Sequence, residues 1–439
     1  MTDYYNTTIF HPAAIALLVI LAIPILIASR SSAVICLIIG TASVSAAQRL
    51  VIAGLDFNFL RLLVVLLWAR IAIRGEWAMP PLRALDWTIV AWILIGSALY
   101  AVQQQSMDAV VNGAGRTFDT LGLHFGIRAM VRDGRDMRRI ALAIALLAVP
   151  LVVVFLIEQF TGRNFFSALG GVPQRTIVRD GRLRCQGPFP HAILAGMFWA
   201  ALLPFVAVRL ADRGYTRWVA ALGMVCGTVI VMTTASSTPY VGLMCAFFAI
   251  SLAWMRWSVR YFQIGSLVLM VVLQIAMQKP IWHLMGRLQI VSGSTGYHRY
   301  RLIDQAVRRF TEWAVIGSRS TAHWGYGLND VTNQYVMEGL AGGVLRLGLF
   351  IAVLVLAFRA VGRTLKFAGK NQSAVLVAWA PGASLFVQAF CFISITYFGQ
   401  IILVFYLPLA IAASFDATRA VVAQRADSPR RIGTQPAHA

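Results

Sequence analysis

Hydrophobic stretches long enough to cross a bilayer recur about thirteen times along this chain, and the turns between them alternate between arginine-rich and nearly uncharged. That alternation constrains the fold more than any single motif does. The stretches read as 12–28, 32–48, 57–73, 86–102, 110–130, 138–157, 188–208, 217–234, 237–255, 261–278, 335–358, 372–393 and 398–415. A span needs about 20 apolar residues, so a chain of 439 residues holds about twelve to fourteen of them with their turns. Charged residues make up only 13% of the chain, against about 25% in a soluble domain. The expectation is an all-α, polytopic membrane bundle of about 13 transmembrane helices. Residues 1–417 form the transmembrane domain. Residues 418–439, polar and holding Pro429 and Pro436, read as a disordered cytoplasmic tail.

Orientation follows from where the short basic loops fall. One face collects Arg74 and Arg83; Arg132, Arg135, Arg138 and Arg139; Arg209, Arg213 and Arg217; Arg256 and Arg260; Arg359, Arg363, Lys366 and Lys370; and the tail. The positive-inside rule makes that face cytoplasmic, with the C-terminus inside and the N-terminus outside. The opposite face has nearly uncharged turns and two long loops, 158–187 and 279–334. The first loop holds Arg163, Arg175, Arg179, Arg182 and Arg184. The second holds Lys279, Arg287, Arg299, Arg301, Arg308, Arg309 and Arg319, and reads as a periplasmic loop containing short amphipathic helices. Topology explains much of the formal charge of +21, so no nucleic acid is implied. It does not explain cations gathered outside. Those point to an anionic ligand, for which a lipid-linked pyrophosphate is the natural kind. Lysine contributes only three of the 38 cations, and arginine grips phosphate with a planar fork.

The remaining sequence signals are fewer. The MTDYYNTTIFHP start lacks a basic n-region, so no cleavable signal is expected. Five cysteines show no CxxC spacing and predict no disulfide. No repeat relates the two halves. Segment 110–130 is the least hydrophobic; Arg116, Thr120, His124 and Arg128 step along one side of it, with Asp119 nearby. Arg116 and Asp119 read as the mouth of a polar cavity, and Arg128 as snorkelling to the cytoplasm. Arg346 needs a buried partner, either Glu338 or Asp119.

Three motifs carry chemistry. The first, EQFTGRNFFSALGG followed by RDGRLRCQGPFPHAILAG, leaves the membrane at Glu158 and re-enters at Pro188. Gly187 permits a tight turn and Pro190 suits a helix start, which sets Arg182 and Arg184 at a helix N-terminus, a good place for an anion. The second, SGSTGYHRYRLIDQAVRRF at 292–310, reads as a turn and an amphipathic helix: Leu302, Ile303, Ala306, Val307 and Phe310 recur at helical spacing. The third, HWGYGLNDVTNQYVMEG at 323–339, brings His323, Asp330, Asn333 and Glu338 to the outer boundary. The uncharged SSTPYVG at 236–242 reads as close packing. No Walker A, GxGxxG, HExxH or Asp-x-Asp pattern is present, so no cofactor and no metal site are expected.

These stretches resemble the family of O-antigen ligases and O-antigen or exopolysaccharide polymerases. Arg184, Gly187, Phe189 and His191 match an arginine, Gly-Phe, His-Pro pattern, although the proline stands before the histidine. Arg299 takes the arginine position of the family's helix in the large loop. Gly325, Gly327, Asn333 and Tyr335 match Gly-x-Gly followed by His-Asn-x-Tyr, with Thr332 where the family has histidine. The resemblance implies a metal-independent, inverting membrane glycosyltransferase at the outer face of the bacterial inner membrane. It would polymerise or ligate glycans carried on polyprenyl pyrophosphate, in surface exopolysaccharide or lipopolysaccharide biosynthesis.

On that reading Arg184 and Arg299 stabilise the departing pyrophosphate, helped by Arg182, Arg287 and Arg301. Thr332 cannot serve as the base at neutral pH, which leaves His298 as the catalytic candidate, with His191, His323, Asp330, Asn333 and Glu338 as further acceptor or base candidates. The partners implied are the lipid-linked donor, a glycan or lipid acceptor, membrane lipids and other polysaccharide-assembly proteins. The alternatives are a transporter or flippase of an anionic or lipid-linked saccharide, using the same arginines without bond cleavage, and a non-catalytic member of a secretion assembly.

Overall fold

The computed structural model describes residues 7–52, 54–277, 280–283 and 296–427. Among them are sixteen α-helices. The first ten are α1 (Pro12–Ile27), α2 (Arg30–Ser43), α3 (Phe59–Ile73), α4 (Ala84–Gln104), α5 (Met107–Met130), α6 (Gly134–Thr161), α7 (Ala192–Val206), α8 (Tyr215–Thr233), α9 (Ser237–Leu252) and α10 (Val259–Ala276). The other six are α11 (Gly296–Arg308), α12 (Phe310–Trp313), α13 (Gln334–Leu340), α14 (Gly343–Phe367), α15 (Gln372–Cys391) and α16 (Ile402–Asp427). Eight apolar stretches are long enough to cross a membrane, which makes the chain a multi-pass membrane protein.

Side-chain caps define the helix starts. Asn58 accepts from the Arg61 amide at 2.9 Å, Ser106 from Ala109 at 3.2 Å, and Asp133 from Arg135 at 2.8 Å. Gly162, at φ 66°, closes α6 in the left-handed conformation that glycine tolerates best. At the centre lies α7, where every residue but Ile193 is buried. Helices α8, α9 and α15 pack around it, and small residues set their spacing. A Cβ on Gly196 would meet Pro239 of α9 at 2.5 Å, and one on Gly223 would meet the Ala145 backbone at 2.6 Å. By contrast α10 buries none of its residues.

Two expectations are corrected. The stretch 335–358 is two helices, not one. The chain breaks at Ala341–Gly343, where Gly343 takes φ 67°, and the freed backbone groups are satisfied from the 314–318 loop: Val344 N–H donates to the Ala314 carbonyl at 2.8 Å and Ser318 N–H to that of Leu340 at 2.9 Å. Because α14 alone has 25 residues, about 37 Å of helix, the break lies at the end of a span rather than in its middle. Second, α16 continues to Asp427, through the first residues of the expected tail; residues 428–439 lie outside the described ones. The chain is predominantly helical, as expected of an all-α bundle. Two short antiparallel hairpins, β1 (Arg49–Ile52) with β2 (Leu55–Asn58) and β3 (Val178–Arg179) with β4 (Arg182–Leu183), stand at the end of the bundle that carries the arginine loops.

The second long loop does not lie loose. The apolar side of α11 builds a small core of its own, in which Leu302, Ala306, Trp313, Trp324, Leu328 and Leu340 are buried together. Trp313 Nε1 donates to the Ala306 carbonyl at 2.8 Å, and its ring lies against Gly339. Glu312 fastens the far side, accepting from Trp324 Nε1 at 3.0 Å and pairing with Arg309 at 2.8 Å and His323 at 2.8 Å.

Candidate functional site

Two polar constructions occupy the arginine-loop end of the bundle, and they differ in charge balance. The first is built on the turn between α8 and α9. Ala235, with φ 42°, takes a left-handed conformation that is costly for a residue with a Cβ, and Ser236 then caps α9. The first long loop is laid across this turn. Glu158, fully buried at the end of α6, accepts from the amides of Gln186 and Gly187, both at 3.0 Å, and from Thr176 Oγ1 at 3.0 Å. Gly187 turns at φ 55°, where a Cβ would strike the Phe155 ring at 2.6 Å. Cys185 N–H donates to the Thr233 carbonyl at 3.1 Å. These bonds deliver Arg184, whose Nη2 donates to Ser236 Oγ at 2.9 Å.

From the second long loop, α11 delivers Arg299 to the same turn. Its Nη2 donates to Thr238 Oγ1 at 2.9 Å. The two arginines come from loops far apart in sequence and end two residues apart on one helix N-terminus. Neither has a carboxylate partner among the described residues, and the Nε of each is buried without a hydrogen-bond acceptor. Burial, with the like charges of Arg179 and Arg184 nearby, pushes the Arg299 guanidinium down to about 10. Burial and Arg179 push Arg184 down as well. Both stay protonated at neutral pH, so the turn holds at least two desolvated, mutually repelling cations beside the positive end of a helix dipole. A bound anion would relieve all three costs.

The hairpin β3–β4 brings Arg179 and Arg182 opposite one another, and the charge of Arg182 falls near Tyr240. Its turn residues, Asp180 at φ 50° and Gly181 at φ 72°, fit the Asp-Gly hairpin signature that RDGR carried in the sequence. His191 caps the start of α7 and, with Arg184, lines a small pocket of about 70 Å³; its ring meets Phe398 edge-on at 5.9 Å.

The second construction is a cavity of about 790 Å³ between α4, α5, α13, α14 and the 392–406 segment. It contains both expected mouth residues, Arg116 and Asp119, as well as Asp330 and Glu338. Its buried charges are paired. Asp119 takes a two-pronged contact from Arg61, with both N–O distances 2.7 Å. Glu338 accepts from Arg346 at 2.7 Å, Gln334 at 2.7 Å and Trp92 at 3.0 Å, which settles the partner of Arg346. The guanidinium of Arg116 stacks over the Tyr100 ring at 4.3 Å.

Among the described residues, the arginine turn does not open into this cavity, so Arg184 and Arg299 do not line it with Asp119 and Glu338. The 391–399 segment separates them: Cys391 Sγ lies 3.7 Å from the Thr238 carbonyl oxygen on one side, while Phe392, Tyr397 and Phe398 line the cavity on the other.

One residue connects the two. His298, next to Arg299 on α11, points away from it, and its Nε2 lies 3.0 Å from the carbonyl oxygen of Asp330 at the cavity rim. A carbonyl only accepts, so Nε2 carries the proton and a neutral ring keeps Nδ1 as its free acceptor. The Asp330 side chain is exposed and in no ion pair among the described residues.

Other candidates have different roles. Asn333 caps α13, accepting from Val336 N–H at 3.0 Å and donating to the Ile393 carbonyl at 2.9 Å, so its amide is committed to holding the chain. His323 is occupied by Glu312. Arg301 extends away from the arginine turn, towards Gly325 and the Tyr297 ring. Arg287 lies outside the described residues. Arg128 does not snorkel. It is fully buried beside Asp86 at 3.3 Å and donates to the Pro80 and Pro81 carbonyls, while His124 holds the same carboxylate at 2.9 Å.

No family model, curated protein or solved structure matches the chain.

Proposed function

We propose that this chain is a membrane glycosyltransferase of the polysaccharide polymerase and ligase kind, moving a glycan from polyprenyl pyrophosphate onto a glycan or lipid hydroxyl at the outer face of the inner membrane. The observation that carries the reading is the convergence of Arg184 and Arg299, without any carboxylate, on the Ser236–Thr238 turn. As the sugar–phosphate bond breaks, negative charge builds on the pyrophosphate, and preorganised guanidinium groups lower the energy of that charge. The acceptor would enter at the cavity rim, where His298 and Asp330 join the two constructions, and lose its proton to His298 Nδ1 or the Asp330 carboxylate, attacking the anomeric carbon from the face opposite the leaving group. Aromatic rings and paired carboxylates in the cavity suit a saccharide. The alternative is a transporter of the same lipid-linked saccharide; the break between α13 and α14 lies at the end of a span and not at the membrane midplane, which favours the enzyme.

Purified protein given a defined glycan on polyprenyl pyrophosphate and an acceptor separates the two. Transfer should fall about 10²–10³-fold in Arg184→Ala and in Arg299→Ala, with protein still in the membrane. Arg184→Lys should recover little, because an ammonium lacks the fork. His298→Ala should do less harm than either. Full transfer in the double arginine variant removes the mechanism, and movement of an intact donor without bond cleavage favours the transporter.

A further inference from the structure

The end of the bundle opposite the arginine turn contains two adjoining cavities that glycan transfer does not use. One, of about 680 Å³, is lined by Arg132, Arg135 and Arg138 at the start of α6. The other, of about 490 Å³, is lined by Arg83, Arg363 and Lys366. They share Thr364 and Phe367 as a common wall. Three of these cations are engaged: Arg138 by Asp212, Arg363 by Asp416 through two bonds of 2.7 Å, and Arg135 by Asp133 at 3.3 Å. Arg83, Arg132 and Lys366 form no ion pair among the described residues, and the Nε of Arg83 is buried without an acceptor. Helices α4, α6 and α15 begin here, while the last turn of α14, 364–367, lines both cavities, so the dipole ends are of both signs and the side-chain cations set the charge. The rest of the first cavity's wall joins apolar side chains, among them Phe367, Val377, Ala378 and Phe415, to the polar Asn371 and Thr418.

Surface arginines that merely set topology need no cavity. A concave, basic rim above an apolar wall fits an amphiphile with a phosphate headgroup. We propose that these cavities hold an anionic phospholipid of the adjacent leaflet, its phosphodiester between Arg83, Arg132 and Lys366 and its acyl chain along Val377 and Phe415. The site is independent of the donor site and stands whatever the arginine turn binds.

The test is native mass spectrometry and thermal melting of the full chain in mild detergent, with phosphatidylglycerol, phosphatidylcholine of the same acyl chains, or inorganic phosphate. Phosphatidylglycerol should stay bound and raise Tm, while the other two do neither. The Arg132→Gln, Lys366→Gln double variant should lower its retention about tenfold. Arg213→Gln, at the same end but outside both cavities, should leave retention unchanged. Equal retention by the double variant overturns the proposal, as does equal loss in Arg213→Gln, which would mean diffuse surface charge. Phosphate alone reproducing the shift would assign the same anion chemistry to a soluble ligand and overturn the lipid.

Discussion

The arginine turn and the polar cavity stand on two sides of the 391–399 segment, yet they treat charge in opposite ways. In the cavity each buried ion has a partner, as in Arg61 with Asp119 and Arg346 with Glu338. On the turn, Arg184 and Arg299 have only hydroxyl partners among the described residues. Taking a charge out of water is costly, and a protein normally offsets that cost with an opposite charge nearby. The cavity is therefore complete in itself and suits a neutral or zwitterionic guest. The turn is complete only with an anion, which the proposed donor pyrophosphate supplies.

The largest effect should come from breaking a pair on the complete side. Glu338→Ala leaves Arg346 uncompensated and removes the acceptor for Gln334 and Trp92, a loss of about 3–5 kcal/mol in stability. Thermal melting in detergent reads this out. A Tm equal to the wild type would mean that the cavity charges are not interdependent. Arg184→Ala is the contrast: it removes an uncompensated cation, so Tm should hold or rise even as transfer fails. A smaller effect is expected from Thr238→Val, which keeps the shape of the side chain and removes the hydroxyl holding Arg299. A hydrogen bond to a charged group contributes about 1.5–3 kcal/mol, so donor affinity should fall about tenfold or more while stability stays near wild type. Unchanged affinity would show that Thr238 does not position Arg299.

Much of the fold was legible in the sequence, but not this division. Hydropathy located the helices because lipid leaves a backbone few options, and a buried Arg346 demanded an acid two turns away. The arginines of the two long loops stood out because topology gave them no reason to be there. What escaped notice was tertiary. SSTPYVG looked like packing, and Pro239 against Gly196 does pack, but nothing local marks Ser236 and Thr238 as anchors for side chains from two distant loops. Arg61 as the partner of Asp119 was equally hidden, since the two lie on different helices and nothing local links them. The break at Gly342–Gly343 was written in the sequence as a glycine pair and was outweighed by the hydropathy on both sides. Arg128 showed its charge but not Asp86, so a buried pair was taken for a side chain reaching water.

The central claim is that the arginine turn is built to hold an anion while the cavity is not. Calorimetric titration of the purified protein with an unglycosylated polyprenyl pyrophosphate tests it without requiring turnover. Wild type and Arg116→Gln, altered only in the cavity, should bind alike. Arg184→Ala and Arg299→Ala should each bind about 10–100-fold more weakly, as expected for loss of one charge-assisted contact. Wild-type affinity in the Arg184→Ala, Arg299→Ala double variant, or a loss confined to Arg116→Gln, would contradict the account.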